Sequence, residues 1–305
     1  VPEHVRITDV SPRDGLQNEP GVIATESKVK LITNLLGCGV DEVEFTSFVS
    51  PKWVPQLGDC AQVCDAIAAM GRSRVESGPI LSALVPNEKG MQGALDANQR
   101  AGFALLRKVS VFTAASETFA QKNTNATIAQ TIERFVPVVN AVHANGLLVR
   151  GYVSCVIACP FEGAIAPSRV VDVVKQLVAI GVDEIDLGDT IGAGTPETVR
   201  AMLETVASVH EFIQASCPVT LHLHDTFGAA ASCVVEALKL GVRSFDGSVA
   251  GLGGCPYAST PGKRAPGNIA SELLVRTVRD AGFVTGVDEV KLAAAGAYAA
   301  GLGAR

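Results

Sequence analysis

A surplus of basic residues is missing from this sequence: 25 Lys and Arg stand against 31 Asp and Glu, for a net charge of −6. Without a basic stripe the chain is no general nucleic-acid binder, and an anionic substrate must meet a local cationic pocket. Also missing is an apolar run long enough to span a bilayer, so no membrane association is expected. No secretory leader is expected either, since VPEHVRITDV opens directly on a strand-like pattern. The eight cysteines lack zinc-finger spacing and several lie in apolar stretches, which fits a reducing cytoplasm better than a disulfide framework. No interdomain linker, low-complexity tract or short repeat interrupts the chain. What is there is 305 residues, 48% hydrophobic, enough to bury the core of one large barrel or two modest domains.

Short β-rich runs alternate with Ala- and Leu-rich amphipathic stretches. Strands are expected at 5–10, 42–46, 80–85, 105–112, 147–153, 184–187, 219–224 and 243–249, and helices at 27–38, 62–70, 128–145, 167–180, 197–215 and 229–240. Gly39-Val40, Gly181-Val182 and Gly241-Val242 each fall between a helix and the next strand, the punctuation of repeated β/α units. Eight such strands predict an α/β fold, a (β/α)₈ TIM barrel over about residues 1–285, with a C-terminal helix over about 286–305. A doubly wound sheet is the alternative, because periodicity alone does not close a ring.

A TIM barrel gathers its chemistry at the carboxyl ends of the strands. The segment VTLHLHDTFG places His222 and His224 two residues apart on an apolar strand, hence on one face and close enough to share an ion. A lone strand histidine is ordinarily core; two on one face, followed by Asp225, favour a metal. Asp225 faces the other way and is read as structural. Asp14, at the end of the first strand, supplies the carboxylate, because strands one and seven nearly adjoin around the ring. Two imidazoles, a carboxylate and a neutral oxygen suit a divalent ion with open positions rather than a closed zinc site. Arg13 beside Asp14 is an ordinary surface pair in isolation; at a barrel mouth the guanidinium can meet a developing oxyanion. The Gly- and Pro-rich stretch GLGGCPYASTPGKRAPGNIASE predicts a mobile loop after strand eight, and Cys255 is the one cysteine set in it. A thiol there can move protons during turnover; as a nucleophile it lacks a histidine nearby in sequence. Cys155 and Cys159 read as packing residues.

Together SPRDGLQNE, EFTSFVSPKWVPQLGD, VRGYVSCV, LGDTIGAGTP, LHLHDTFG and VAGLGGCPYA span nearly the whole chain in order, and they resemble the 3-hydroxy-3-methylglutaryl-CoA lyase family of metal-dependent TIM-barrel lyases. The resemblance implies cleavage of 3-hydroxy-3-methylglutaryl-CoA into acetyl-CoA and acetoacetate, as in leucine breakdown. It implies Asp14, His222, His224 and Asn268 as ligands of Mg²⁺ or Mn²⁺, Arg13 neutralising a thioester enolate, and Cys255 protonating it. Glu44 and Asp189 become supporting carboxylates, and Glu272 positions Asn268. Either Asp14 or His222 accepts the proton of the 3-hydroxyl. A homodimer is expected, as the commonest symmetric assembly.

Two departures from the family pattern bear on the acyl-CoA substrate. STPGKRAP lengthens the span between Cys255 and Asn268, and Pro20 stands where the family carries lysine after GLQNE. Lys263 and Arg264 are therefore expected to supply charge to the CoA phosphates. Competing readings are the same cleavage of an acyl-CoA with a different 3-substituent, an acyl-CoA condensing enzyme, and a non-catalytic CoA-ester binder. The last has no need of Arg13, Asp14, His222, His224 and Cys255 together.

Overall fold

The structure is a computed structural model that describes residues 2–208, 217–254 and 267–302. Eight parallel strands form a closed ring: β1 (Arg6–Asp9), β2 (Glu42–Ser47), β3 (Ile80–Leu84), β4 (Lys108–Ala114), β5 (Leu148–Ser154), β6 (Glu184–Asp189), β7 (Val219–Leu223) and β8 (Ser244–Gly247). Each pairs with the next, and β8 returns to β1 through Arg6↔Ser244 to Asp9↔Gly247. Closure excludes the doubly wound sheet. A two-stranded hairpin, Ala158–Cys159 with Gly163–Ala164, follows β5 outside the ring.

The expected helix-to-strand glycines behave as their chemistry requires. Gly39, Gly181 and Gly241 have φ of 77°, 95° and 94°, the left-handed region that a Cβ disfavours. Most strand ends fall within two residues of the expectation, and the largest departure is β4, which begins at Lys108, not at 105. Leu105 and Leu106 are buried, but the Asn98 side chain donates to the Leu106 carbonyl at 2.9 Å and accepts from its N–H at 2.8 Å, tying them to the preceding helix. Helices at Glu88–Ala101, Glu117–Thr124 and Ser271–Asp280, absent from the expectation, complete the pattern. The first two are started by the side chains of Asn87 and Ser116, which cap them. The helix expected at 197–215 runs Pro196–Ala207, and 209–216 lie outside the described residues. The C-terminal helix is Glu289–Ala300, capped by Asp288. It packs beside the barrel, against the helix Thr25–Leu36 and the turn Val249–Gly251.

Period-two alternation decides what fills the ring. Apolar Val43, Phe45, Val109, Val111, Ile185, Leu187 and Leu221 are buried in the core beneath the helices. The alternate positions, Glu42, Glu44, Lys108, Ser110, Arg150, Tyr152, Glu184, Asp186, Thr220, His222, Ser244 and Asp246, are buried too, and they bond to one another. The lumen is thus packed with polar groups. Each charge buried there needs a partner, because desolvation is otherwise too costly.

Candidate active site

After β1 the chain tightens into a π-helical turn, Ser11–Gly15, in which the Val10 carbonyl accepts from the backbone N–H of Asp14 at 2.8 Å and of Gly15 at 3.1 Å. Pro12 favours the start of such a turn. The turn points Arg13 and Asp14 into the barrel mouth. Arg13 Nη1 donates to Asp14 Oδ1 at 2.7 Å, and its Nε donates to Glu44 Oε1 on β2. Glu44 Oε2 accepts from Ser110 Oγ and, at 3.3 Å, from Tyr152 OH. Arg13 is thereby pinned from two sides, with its guanidinium 5.6 Å from the Tyr152 ring centre.

His222 and His224 do share a face. Their Nε2 atoms lie 3.2 Å apart, and one nitrogen of each with a carboxylate oxygen of Asp14 falls within 4.8 Å of the others. Two ring nitrogens so close need a proton or a cation between them. Nδ1 of His222 faces Asp246 Oδ2 at 3.2 Å, so its N–H is directed to a carboxylate and Nε2 is left with its lone pair toward the cluster. His224 forms an isolated bridge with Asn268, whose side-chain amide donates to Asp14 Oδ2 at 2.8 Å and to the Leu252 carbonyl at 3.0 Å. Among the described residues, Asn268 Oδ1 is buried without a hydrogen-bond partner, as is His224 Nδ1. Gly253 stands against this amide: its φ is +107°, and a Cβ there would come within 2.5 Å of Asn268 Nδ2.

Protonation follows from these contacts. Burial would raise the Asp14 carboxyl, but Arg13 and the two imidazoles outweigh it and hold Asp14 well below the usual carboxylate range. Burial and the neighbouring His222 push His224 down to about 4, leaving it neutral at neutral pH. Burial opposes a charged His222, yet Asp246 and Asp14 prevail and raise it. An ionised carboxylate, a neutral imidazole, a second imidazole oriented by a carboxylate and an unpartnered amide oxygen make a mixed nitrogen and oxygen donor set. Such a set fits a divalent cation of the Mg²⁺ or Mn²⁺ kind.

The structure thus brings Arg13, Asp14, Glu44, His222, His224 and Asn268 together. Asp189 turns both oxygens to backbone N–H groups while lying close enough to interact electrostatically with His222: its Oδ1 accepts from Ala193 N–H at 3.1 Å and its Oδ2 from Gly194 N–H at 2.7 Å, so it shapes the loop after β6, and burial pushes it up to about 6. Glu272 does not touch Asn268; both its oxygens accept from Ala250 N–H at 3.2 Å, because the turn after β8 lies between them. Asp225 is structural, its Oδ1 accepting from Ala230 N–H at the start of the helix Ala230–Lys239. Cys155 and Cys159 are buried, and Cys159 Sγ accepts from Ser116 Oγ at 3.1 Å. Cys255, Lys263 and Arg264 lie outside the described residues. Sequence reasoning missed Asp246, Tyr152 and Ser110, which hold His222, Glu44 and through it Arg13. Their signal was present: polar residues at alternate positions of otherwise apolar strands.

A family model described as HMGL-like matches residues 4–298. The mitochondrial hydroxymethylglutaryl-CoA lyase of Bos taurus is 45% identical over 300 residues, 97% of this chain and 85% of that protein. Its Arabidopsis thaliana counterpart is 45% identical over 298 residues, 98% of this chain but 59% of that longer protein. Among solved structures, the HMG-CoA lyase of Brucella melitensis has a TM-score of 0.87 at 43% identity, covering 98% of this chain and 99% of that one. An HMG-CoA lyase of Acinetobacter baumannii, solved in complex with coenzyme A and 3-methylmalate, has a TM-score of 0.84 at 33% identity, covering 98% and 91%. Matched along almost its whole length, with the paired imidazoles and the Arg13–Asp14 turn at one mouth, this chain belongs to the HMGL-like family.

Proposed function

We propose that this protein is a divalent-cation-dependent carbon–carbon lyase that cleaves 3-hydroxy-3-methylglutaryl-CoA into acetyl-CoA and acetoacetate. The observation that carries the reading is the meeting of Asp14, His222 and His224 beside the pinned guanidinium of Arg13. Asp14, His222, His224 and Asn268 would hold Mg²⁺ or Mn²⁺, which when bound lowers the cost of removing a proton from the 3-hydroxyl.

The chain's own groups account for the remaining chemistry. The 3-hydroxyl proton goes to Asp14 or His222. At His222, ligation and proton acceptance compete for the Nε2 lone pair, since Nδ1 faces Asp246; at Asp14 both oxygens already accept hydrogen bonds, from Arg13 and from Asn268. As the C–O bond becomes a carbonyl, the bond between C2 and C3 breaks and its electron pair moves into the acetyl thioester as an enolate. Arg13 meets that charge from a fixed position, which makes its field effective in the transition state. Cys255 supplies the proton to C2, from a loop whose two flanks are tied down. Asn18 Nδ2 donates to the Gly254 carbonyl at 3.3 Å, and Asp225 N–H donates to the Gly267 carbonyl at 2.9 Å.

Lys263 and Arg264 take the place of the lysine absent at Pro20 in receiving the CoA phosphates; changing both to Ala should raise KM for the thioester, and an unchanged KM refutes that assignment. We place the protein in the cytoplasm as a homodimer. Its seven described cysteines are free, as a reducing compartment requires, while the eukaryotic relatives carry mitochondrial names. No helix among the described residues is long and apolar enough to cross a membrane. The lengthened span from Cys255 to Asn268 favours one second reading, the same cleavage on an acyl-CoA bearing another 3-substituent. Incubation with 3-hydroxy-3-methylglutaryl-CoA and a panel of 3-substituted analogues, with and without Mg²⁺, tests both. Acetoacetate released only with metal is expected, and full turnover after chelation overturns the mechanism.

A further inference from the structure

Asp9 closes β1 and is fully buried, yet it touches none of the residues assigned to the reaction. Its Oδ1 accepts from the N–H of Ser11 at 2.9 Å and from Ser11 Oγ. Its Oδ2 accepts from Val249 N–H at 3.1 Å and from Ser271 Oγ at 2.7 Å. The two oxygens therefore face two different arms of the site. Ser11 opens the turn that carries Arg13 and Asp14. Ser271 lies three residues beyond Asn268, and Val249 opens the turn on which the Asn268 segment is laid. There Ser248 N–H donates to the Ile269 carbonyl, and Ser271 N–H to the Ser248 carbonyl, both at 3.1 Å. From the far side Glu272 holds Ala250 N–H, and Ala250 is fixed in the left-handed region at φ 57°, where a non-glycine residue sits only when its surroundings dictate it.

We propose that Asp9 is a positioning residue that sets the separation of Asp14 from Asn268, and so the width of the cation site; this rests on the reading of that site given above. The physical case is one of accounting for donors. Two backbone N–H groups and two hydroxyls converge on one buried carboxylate, and each left unsatisfied carries a desolvation penalty. Because one rigid carboxylate serves both arms, neither can shift without breaking bonds that the other shares. Asp14 Oδ2 and Asn268 Nδ2 stand 2.8 Å apart across this bracket.

The test is Mn²⁺ affinity of the full chain without substrate, read from the electron paramagnetic resonance signal of free Mn²⁺ at pH 8. Asp9→Asn should weaken binding by about 10- to 100-fold, the range of groups that orient metal ligands. Ser271→Ala should weaken it through Asn268 alone, and Ser11→Ala through Asp14 alone. In an Asn268→Ala background, Ser271→Ala should then have no further effect, whereas Ser11→Ala should still weaken binding. A purely structural role predicts equal effects of Ser271→Ala in both backgrounds, which overturns the proposal, as does wild-type affinity in folded Asp9→Asn. Should Asp9→Asn fail to fold, the serine pair decides. A wild-type chain that binds no Mn²⁺ overturns the cation reading itself; wild-type binding with unaltered variants overturns this proposal alone.

Discussion

At the floor of the lumen Lys108 lies 2.6 Å from both Glu42 and Glu184, and Arg150 reaches Glu42 at 3.2 Å, Glu184 at 2.9 Å and Asp246 at 3.2 Å. At the mouth, beyond the carboxyl ends of the strands, His224 Nδ1 and Asn268 Oδ1 have no partner among the described residues and two imidazole nitrogens face each other. Both layers bury ionisable groups. The floor matches its cations against carboxylates within the chain, although Arg150 Nε and both oxygens of Asp186 have no hydrogen-bond partner among the described residues, whereas the mouth turns its open acceptors toward one shared space. The difference teaches that neither buried charge nor a single unpaired atom marks a site; open acceptors that converge beside paired imidazoles do. Asp186 and Asp246 lie at the boundary between the layers. Burial and the nearby Asp246 push Asp186 well above the usual range, while Arg150 and His222 overcome burial and hold Asp246 low.

If the floor is structural and the mouth chemical, variants should separate stability from turnover. Lys108→Met removes one of the two cations that Glu42 and Glu184 share and leaves Arg150 alone to face both. It should cost about 3–5 kcal/mol, seen as a lowered denaturation midpoint. Arg13→Met should lower kcat by about 10²–10³-fold, roughly 3–4 kcal/mol of transition-state stabilisation, and lower the midpoint far less than Lys108→Met. A floor variant that lost turnover at full stability would erase the contrast. The pH response sharpens it. Burial opposes ionised Glu184, but Arg150 and Lys108 pull its carboxyl from 4.5 down to about 2. A depressed carboxyl stabilises the fold above its unfolded value, and that contribution disappears as pH falls from about 4.5 toward 2. Denaturation midpoints across that window should fall less steeply for Glu184→Gln than for the wild-type chain. The smallest effect is expected at the boundary. Asp246→Asn loosens His222 and should weaken Mn²⁺ binding by about 10-fold, the lower end for such partners, as read by calorimetry.

Much of the mouth was legible because Asp14 and the His222–His224 pair fall at strand ends, where a barrel concentrates its chemistry. Asn268 was legible only through family resemblance: nothing in GNIASE announces that a side chain 254 positions from Asp14 will meet it. The roles of Asp189 and Glu272 come from the resemblance, and an acid in sequence does not reveal that its oxygens accept from backbone N–H groups, as those of Asp189 do from Ala193 and Gly194 and those of Glu272 from Ala250. The floor was overlooked for a different reason. Glu42-Val43-Glu44 and Glu184-Ile185-Asp186 alternate polar with apolar, ordinarily the mark of a strand with one wet face; only ring closure turns that face inward. The start of β4 was misplaced because Leu105 and Leu106 look like strand and are claimed instead by Asn98.

Pairing of β1 with β8 has a consequence for how this enzyme comes into being. Asp14 arrives early in synthesis and Asn268 near its end, so the proposed ligands of the cation do not exist as a set until the final staves are joined. Mn²⁺ affinity should therefore gauge completed assembly, and nascent or truncated chains ending before residue 244, whose ring is still open, should hold the ion no better than an unfolded polypeptide does.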